Sequence, residues 1–173
     1  MKYSAKNTKI LLIILVVFGI MVTVFDRYIV FNVTESFPPG LYLKVDEKPE
    51  KGSLVIFCPE KSPIQDETLE RGYVWSGACP SGTIPLLKQI MAVSGDRVRI
   101  AEDGVFVNGV MLPNSTRKVR FVNDIPLPWE KELSEGEVLF MSPHPRSFDG
   151  RYFGPLSSSL IVSAITPFWV RGN

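Results

Sequence analysis

The chain has 173 residues, of which 45% are hydrophobic and 21% are charged, and its net charge is +1. This length and composition allow one ordinary hydrophobic core, so the sequence predicts a single small folded domain. The nearly balanced charge gives no reason to expect a nucleic acid as a partner.

Near the N-terminus, an uncharged apolar run at residues 10–25 follows three lysines, Lys2, Lys6 and Lys9. The run is shorter than the roughly 20 residues of a spanning helix, but residues 28–31 can continue it into the membrane interface. By the positive-inside rule, the lysines place the N-terminus in the cytoplasm. A cleaved secretory signal is the alternative, but bulky residues stand where a small-x-small cleavage site is needed. We therefore predict an uncleaved single-pass anchor within residues 1–27 and an exported domain at residues 28–173.

The exported part is predicted to be mostly β. Short apolar runs bounded by turn residues predict strands at residues 41–45, 54–57, 84–93, 97–100, 105–107, 137–141, 160–165 and 168–170. The dipeptides Asp103-Gly104 and Asn108-Gly109 are strong hairpin turns. At most a short helix is expected at residues 66–71, and residues 113–135 are expected to be irregular. This set of short strands is typical of a coiled or barrel-like β domain.

A stiff turn follows the apolar run and carries Ser36. Pro38 and Pro39 cannot join a regular helix or a central sheet ladder, and Gly40 lets the backbone turn back into the first strand. A serine before two prolines is, by itself, typical of an ordinary loop. Its place beside a membrane segment makes it worth testing as a nucleophile.

A serine nucleophile needs a base, and the chain has a single histidine, His144. A triad of Ser36, His144 and Asp149 is compatible with the spacing, because triads assemble in space rather than along the sequence. However, His144 lies between Pro143 and Pro145, a pattern that favours a solvated turn.

Lys88 is the second candidate base, because it interrupts the apolar segment at residues 84–93. With period-two alternation it shares a face with three apolar residues, Leu86, Ile90 and Ala92. Burial on that face would lower the pKa of the lysine and supply a neutral amine. The pattern alone nevertheless favours an outward-facing lysine on an edge strand.

A third polar cluster contains Ser147, Asp149 and Arg151. As structure, Asp149 and Arg151 would form a salt-bridged loop. As function, the Ser147 hydroxyl, two residues from that pair, would orient a catalytic lysine.

The two cysteines of the chain are Cys58 and Cys79. An oxidising compartment would allow them to pair, and a loop of that length contributes about 3 kcal/mol in the chain-entropy model. Two cysteines and one histidine are a poor ligand set, so no metal and no other cofactor is expected.

Together these segments resemble the signal peptidase I family of Ser/Lys membrane proteases, and most closely its conjugative-transfer branch, the TraF pilin-maturation peptidases. The resemblance rests on residues 36–42, 52–57, 87–96 and 147–154. It implies a signal-peptidase-like β domain in the periplasm, anchored in the bacterial inner membrane. It also implies cleavage of an exported precursor, most closely a conjugative pilin.

The resemblance implies roles for individual residues. Ser36 matches the nucleophile and Lys88 the general base. Thr34 matches the residue whose hydroxyl joins the Ser36 backbone N–H in the oxyanion hole. Ser147 matches the serine that holds the lysine amine. A supporting ion pair is implied for two further residues, Asp149 and Arg151.

The chain also departs from the housekeeping members of that family. They have methionine after the nucleophile, where this chain has Phe37, and serine between the acid and the arginine, where it has Gly150. They also carry a larger second β domain, so a dedicated substrate is favoured here. Two alternatives stay open: a general signal peptidase, and a non-catalytic assembly protein of a secretion channel.

Overall fold

Residues 5–172 are described in a computed structural model, which confirms the mostly β architecture. Helix α1 spans Ala5–Tyr28. The elements that follow are β1 (Ile29–Asn32), β2 (Gly40–Val45), β3 (Leu54–Phe57), α2 (Pro63–Glu70), β4 (Leu86–Ala92), β5 (Arg97–Ala101), β6 (Gly104–Val107), β7 (Val110–Met111), β8 (Trp129–Glu132), β9 (Glu137–Met141), α3 (Gly150–Phe153), β10 (Leu156–Ser157) and β11 (Ile161–Val170).

Within the described residues, helix α1 is the one helix long and apolar enough to cross a membrane. Its span Asn7–Tyr28 has a mean hydropathy of 2.7, and none of it is buried inside the protein. An apolar helix without protein cover fits a lipid environment, where all its backbone groups are bonded internally. Lys2, which the topology prediction uses, lies outside the described residues.

Residues 29–31 do not continue the helix; whether they lie in the membrane interface stays a prediction. They belong to β1, which pairs antiparallel with β2 in the register Ile29↔Leu43. The chain therefore passes from the candidate membrane helix directly into the sheet that carries the site.

The larger sheet has seven antiparallel strands in the order β1-β2-β11-β3-β4-β9-β10. The C-terminal strand β11 lies between two strands from the first third of the chain, and it is a single strand where two were predicted. Bulges lie between Ile161 and Ser163 and between Pro167 and Trp169. Because bulges bend a strand and increase its twist, the sheet curls around its core.

The smaller sheet has four strands in the order β7-β6-β5-β8. Asn108 and Gly109 have positive φ angles of 52° and 81°, as the predicted hairpin turn requires. Strand β8 was missed, because its sequence Trp-Glu-Lys-Glu offers one apolar residue and no alternation. Its pairing with β5 supplies the structure that the local sequence does not indicate.

Two hydrophobic clusters meet at strands β4 and β9. The first packs Phe57 of β3 against Phe140 of β9, with stacked rings 4.1 Å apart, and includes Ile90 of β4. The second lies between the two sheets and includes Ala92 of β4 and Leu139 of β9. Because both strands are packed on both faces, they form a rigid support for side chains that project from them.

Candidate active site

Lys88 projects from the middle of β4, which lies between β3 and β9 in the interior of the larger sheet. The outward-facing, edge-strand alternative is therefore wrong. Lys88 is 3% exposed, and Leu86 and Ile90, which the alternation places on its face, are also buried. Ala92 is buried too, but it follows a bulge after Ile90 and packs in the second cluster. The period-two pattern indicated this face, but the sequence did not indicate that β4 is a central strand.

The Lys88 amine lies beside the hydroxyl of Ser36. Lys88 Nζ donates to Ser36 Oγ at 3.1 Å and to the carbonyl oxygen of Leu87 at 3.0 Å. Burial lowers the pKa of Lys88 to about 8, while the charge of Asp149 raises it and the charge of Arg151 lowers it. At that pKa about half of the amine is neutral at pH 8, so it can accept a proton there.

Ser147 also contacts the Ser36 hydroxyl. Its Oγ is 3.1 Å from Ser36 Oγ, and the residue is 4% exposed. The resemblance implied a bond from Ser147 to the lysine amine, but the structure joins Ser147 to the serine hydroxyl. Ser36 Oγ is thus held between an amine and a second hydroxyl.

Thr34 is held by Asn32. Its hydroxyl donates to Asn32 Oδ1 at 2.8 Å, and its backbone N–H donates to the same oxygen at 3.0 Å. A hydroxyl has one proton to donate, so Thr34 must rotate away from Asn32 before it can bind an oxyanion. Asn32 also donates to the carbonyl oxygen of Phe37 at 2.9 Å. The buried Asn32 therefore ties the turn together on both sides of Ser36.

Asp149 and Arg151 form a fully buried, bidentate ion pair. Arg151 Nε lies 2.7 Å from Asp149 Oδ1, and Arg151 Nη2 lies 2.9 Å from Asp149 Oδ2. Burial raises the pKa of Asp149, and Arg151 opposes part of that rise. Arg151 also donates to four backbone carbonyls, those of Asn114, Ser142, His144 and Pro145. The pair therefore fixes the loop that carries Ser147.

His144 occupies the rim of the site. Its Nε2 lies 3.6 Å from Glu35 Oε2, and its Nδ1 accepts from the backbone N–H of Arg146 at 3.4 Å. The hydrogen bonds of Ser36 Oγ go to Lys88 and Ser147 instead. The structure therefore places Lys88, and not His144, at the Ser36 hydroxyl, so the alternative triad is not formed.

Sequence reasoning missed Asn32 and Ser142. Both are buried polar residues, and each bonds to the backbone at or next to Ser36. Asn32 is a polar residue within an apolar stretch, which is a usable signal. Ser142 follows a strand and looks like any other loop serine, so the sequence offers no signal for it.

A cleft of about 1030 Å³ opens beside Ser36 and Lys88. Its lining comes mainly from four segments, within residues 29–36, 72–75, 84–88 and 144–148, and it includes Asp26 of α1. Because Asp26 is among the lining residues, the cleft reaches the last turn of the candidate membrane helix.

Cys58 and Cys79 are joined as a disulfide with a Cα–Cα distance of 5.3 Å. This separation lies in the usual range for such bonds. The bond links the residue after β3 to the segment between residues 75 and 84, which connects two of the segments that line the cleft. Whether the cysteines pair in the exported protein stays a prediction.

Similarity to known proteins extends over most of the chain. Residues 4–169 match the family described as signal peptidase, peptidase S26. The chain is 41% identical over 141 residues to the plasmid transfer protein TraF of Escherichia coli, covering 79% of this chain and 80% of that protein. It is 36% identical over 135 residues to the probable conjugal transfer protein TraF of Sinorhizobium fredii, covering 76% and 71%.

A third relative is the conjugal transfer protein TraF of Agrobacterium fabrum, 34% identical over 140 residues and covering 79% of each chain. Among solved structures, the chain is similar to a signal peptidase I from Enterococcus faecalis V583. The TM-score is 0.40 and the sequence identity 19%, over 69% of this chain and 98% of that chain.

Proposed function

The chain belongs to the signal peptidase family, peptidase S26, and from that premise we propose that it is a membrane-anchored serine endopeptidase with a Ser36–Lys88 dyad. The observation that supports this most directly is the 3.1 Å contact between Lys88 Nζ and Ser36 Oγ. A buried amine with a lowered pKa is suited to act as a general base near neutral pH. A serine hydroxyl requires such a base to become a nucleophile.

In the first half of the proposed reaction, neutral Lys88 takes the proton from Ser36 Oγ, which attacks the carbonyl carbon of the scissile bond. The negative charge moves to the carbonyl oxygen, where the Ser36 N–H and the rotated Thr34 hydroxyl donate to it. Losing one such donor typically costs about a hundred- to a thousandfold in rate. The carbon–nitrogen bond then breaks, and Lys88 gives its proton to the leaving amine.

In the second half, an ester joins Ser36 to the new C-terminus of the substrate. Lys88 is neutral again and takes a proton from water, or from an amine, as that molecule attacks the ester. Ser36 leaves with the proton returned by Lys88. In this scheme Ser147 orients the Ser36 hydroxyl, and the ion pair of Asp149 and Arg151 supports the Ser147 loop.

We further propose that residues 1–27 carry the inner-membrane anchor and that residues 28–173 form the periplasmic catalytic domain. Asp26, in the last turn of α1, lines the cleft, which supports cleavage close to the bilayer surface. A precursor held in the same membrane by its own helix would present its cleavage site at a high local concentration.

The proposed substrate is the precursor of a conjugative pilin. The relatives named for plasmid and conjugal transfer support this choice over general signal-peptide removal. Complementation of a strain depleted of its housekeeping signal peptidase would instead favour the general role.

Mass spectrometry of the candidate pilin, produced with wild-type enzyme and with Ser36→Ala, tests the proposal. We expect a shortened pilin with the wild type and the full-length precursor with the variant. A shortened pilin in both samples would reject the dyad. An unprocessed pilin with the wild-type enzyme would reject this substrate. A transfer function that survives both Ser36→Ala and Lys88→Ala would support the non-catalytic assembly role.

A further inference from the structure

Ser142, the residue that follows β9, uses all of its hydrogen-bonding groups. Its backbone N–H donates to Asp149 Oδ2 at 3.0 Å, and its carbonyl oxygen accepts from Arg151 Nη2 at 3.1 Å. Its hydroxyl donates to the carbonyl oxygen of Ser36 at 2.6 Å. Ser142 therefore connects the buried ion pair to the backbone of Ser36 through hydrogen bonds.

The direction of the hydroxyl bond is determined by its neighbours. The backbone N–H of His144 donates to Ser142 Oγ at 3.1 Å, so this oxygen already serves as an acceptor. The carbonyl oxygen of Ser36 has no proton to give. The proton of Ser142 must therefore point at the Ser36 carbonyl, and the residue is 4% exposed, so water competes little for either group.

This bond acts on a part of Ser36 that the dyad does not hold. Lys88 and Ser147 contact the Ser36 hydroxyl, whereas Ser142 contacts the carbonyl of the same residue. The two prolines that follow Phe37 limit how the turn bends. The bond from Ser142 to the Ser36 carbonyl orients the peptide unit between Ser36 and Phe37. With both ends held, the nucleophile has little freedom to rotate.

We infer that Ser142 is a positioning residue, which transmits the rigidity of the Asp149–Arg151 pair to the nucleophile through the Ser36 carbonyl. The inference rests on the proposed function. It assigns the ion pair a role beyond holding the Ser147 loop, because the pair also holds the backbone that presents Ser36. Misplacing a reacting group by about 1 Å can cost about a hundredfold in rate.

The test compares Ser142→Ala with Ser142→Thr, which keeps the hydroxyl, in the full-length enzyme and well below each unfolding midpoint. We expect Ser142→Ala to lower kcat by about 10- to 100-fold with KM changed less than about twofold, because substrate binding does not use this bond. Ser142→Thr should recover most of the lost kcat. The pH profile should keep its midpoint, since Ser142 carries no charge.

Ser115→Ala is the matched control. Ser115 is also buried, at 3% exposed, and its hydroxyl also bonds to backbone, accepting from the N–H of Val105 and donating to the carbonyl of Leu112. Its partners Val105 and Leu112 lie in or next to the smaller sheet, and none of its hydrogen bonds goes to Ser36. The Ser115→Ala variant should lose about as much stability as Ser142→Ala but keep the wild-type kcat.

A second measurement does not depend on activity. The carbonyl ¹³C resonance of Ser36 and the amide ¹⁵N resonance of Phe37, in the detergent-solubilised full chain, should shift in Ser142→Ala and stay in place in Ser115→Ala. Unchanged resonances, or a kcat loss no larger than that of Ser115→Ala, would overturn the inference. If wild type and Ser36→Ala are equally inactive, the proposed function fails, and the two resonances alone decide whether Ser142 orients Ser36.

Discussion

The two sheets of this protein differ in where their charged side chains lie, buried in one and exposed in the other. The seven-stranded sheet and the short helix α3 packed on it enclose Lys88, Asp149 and Arg151, each at most 3% exposed. In the four-stranded sheet, the ion pair of Arg97 and Glu130 lies on the surface, with side chains 70% and 42% exposed. Both sheets have apolar cores, but only one of them buries charge.

We interpret the buried charges as groups of the proposed active site and the exposed pair as a surface contact. Burying a charge costs several kcal/mol unless partners repay it, so a buried lysine that bonds only to a hydroxyl and a carbonyl points to a functional role. A surface pair in water gains little, because solvent screens the attraction. Five predictions test this contrast.

The largest effect should follow Lys88→Arg. A guanidinium stays protonated and cannot accept the Ser36 proton, so kcat should fall by about a hundred- to ten-thousandfold. Cleavage of the precursor, followed by gel or mass spectrometry, measures the change. His144→Ala is the control and should keep most of the activity. A loss in His144→Ala as large as that in Ser36→Ala would move the base to the histidine.

The next effect should be the loss of stability in Arg151→Met. The change leaves Asp149 buried without its partner and removes a donor from four carbonyls, so we expect a loss of about 3–5 kcal/mol. Denaturant unfolding of the detergent-solubilised protein measures it. Asp149→Asn keeps the arginine bonds to those carbonyls and should cost less. A larger loss of stability in Asp149→Asn than in Arg151→Met would show that the carboxylate, not the arginine, organises the loop.

A smaller effect is expected for the Cys58–Cys79 bond, which closes a loop with a sequence separation of 21. Replacing both cysteines by serine should lower the free energy of unfolding by about 3 kcal/mol in the chain-entropy model. Thiol alkylation of the native protein should detect no free thiol. Two alkylatable cysteines in the folded, exported protein would refute the pairing.

The pH dependence of kcat/KM should report Lys88. Its pKa is lowered to about 8 by burial, and only the neutral amine accepts a proton, so activity should rise with pH and level off above about 8. Below that value the rate should fall about tenfold per pH unit. Removing the charge of Asp149 by Asp149→Asn removes a cause that raises the lysine pKa and should move the midpoint to lower pH. A midpoint that stays in place would mean that the profile reports another group.

The smallest effect should come from the surface pair of the smaller sheet. Arg97 Nε lies 2.6 Å from Glu130 Oε1, but both side chains are well exposed. Arg97→Ala should leave the midpoint of thermal unfolding and the cleavage rate unchanged within error, because water replaces the lost contact. A clear drop in either quantity would mean that the two sheets do not differ as described.

Sequence reasoning recovered the elements that local preferences specify. The strands at residues 54–57 and 137–141 were predicted with their observed bounds, because each is an apolar run between turn residues. The hairpin at Asn108-Gly109 followed from the need for positive φ. Strands β1 and β8 were missed because their sequences lack alternation or continue a neighbouring apolar run, and only pairing with β2 and β5 makes them strands.

The sequence by itself therefore determined the candidate membrane helix and most strands, which depend on residue type and short-range periodicity, while the family resemblance pointed to the candidate dyad. Only the tertiary structure decided that β4 is a central strand, that Ser36 meets a lysine 52 residues away and a serine 111 residues away, and that Ser142 holds its carbonyl. The physical reason is that strand order and buried hydrogen bonds are set by how distant segments share one core. Local preferences reach a few residues along the chain, and they carry no information about which strand lies beside which.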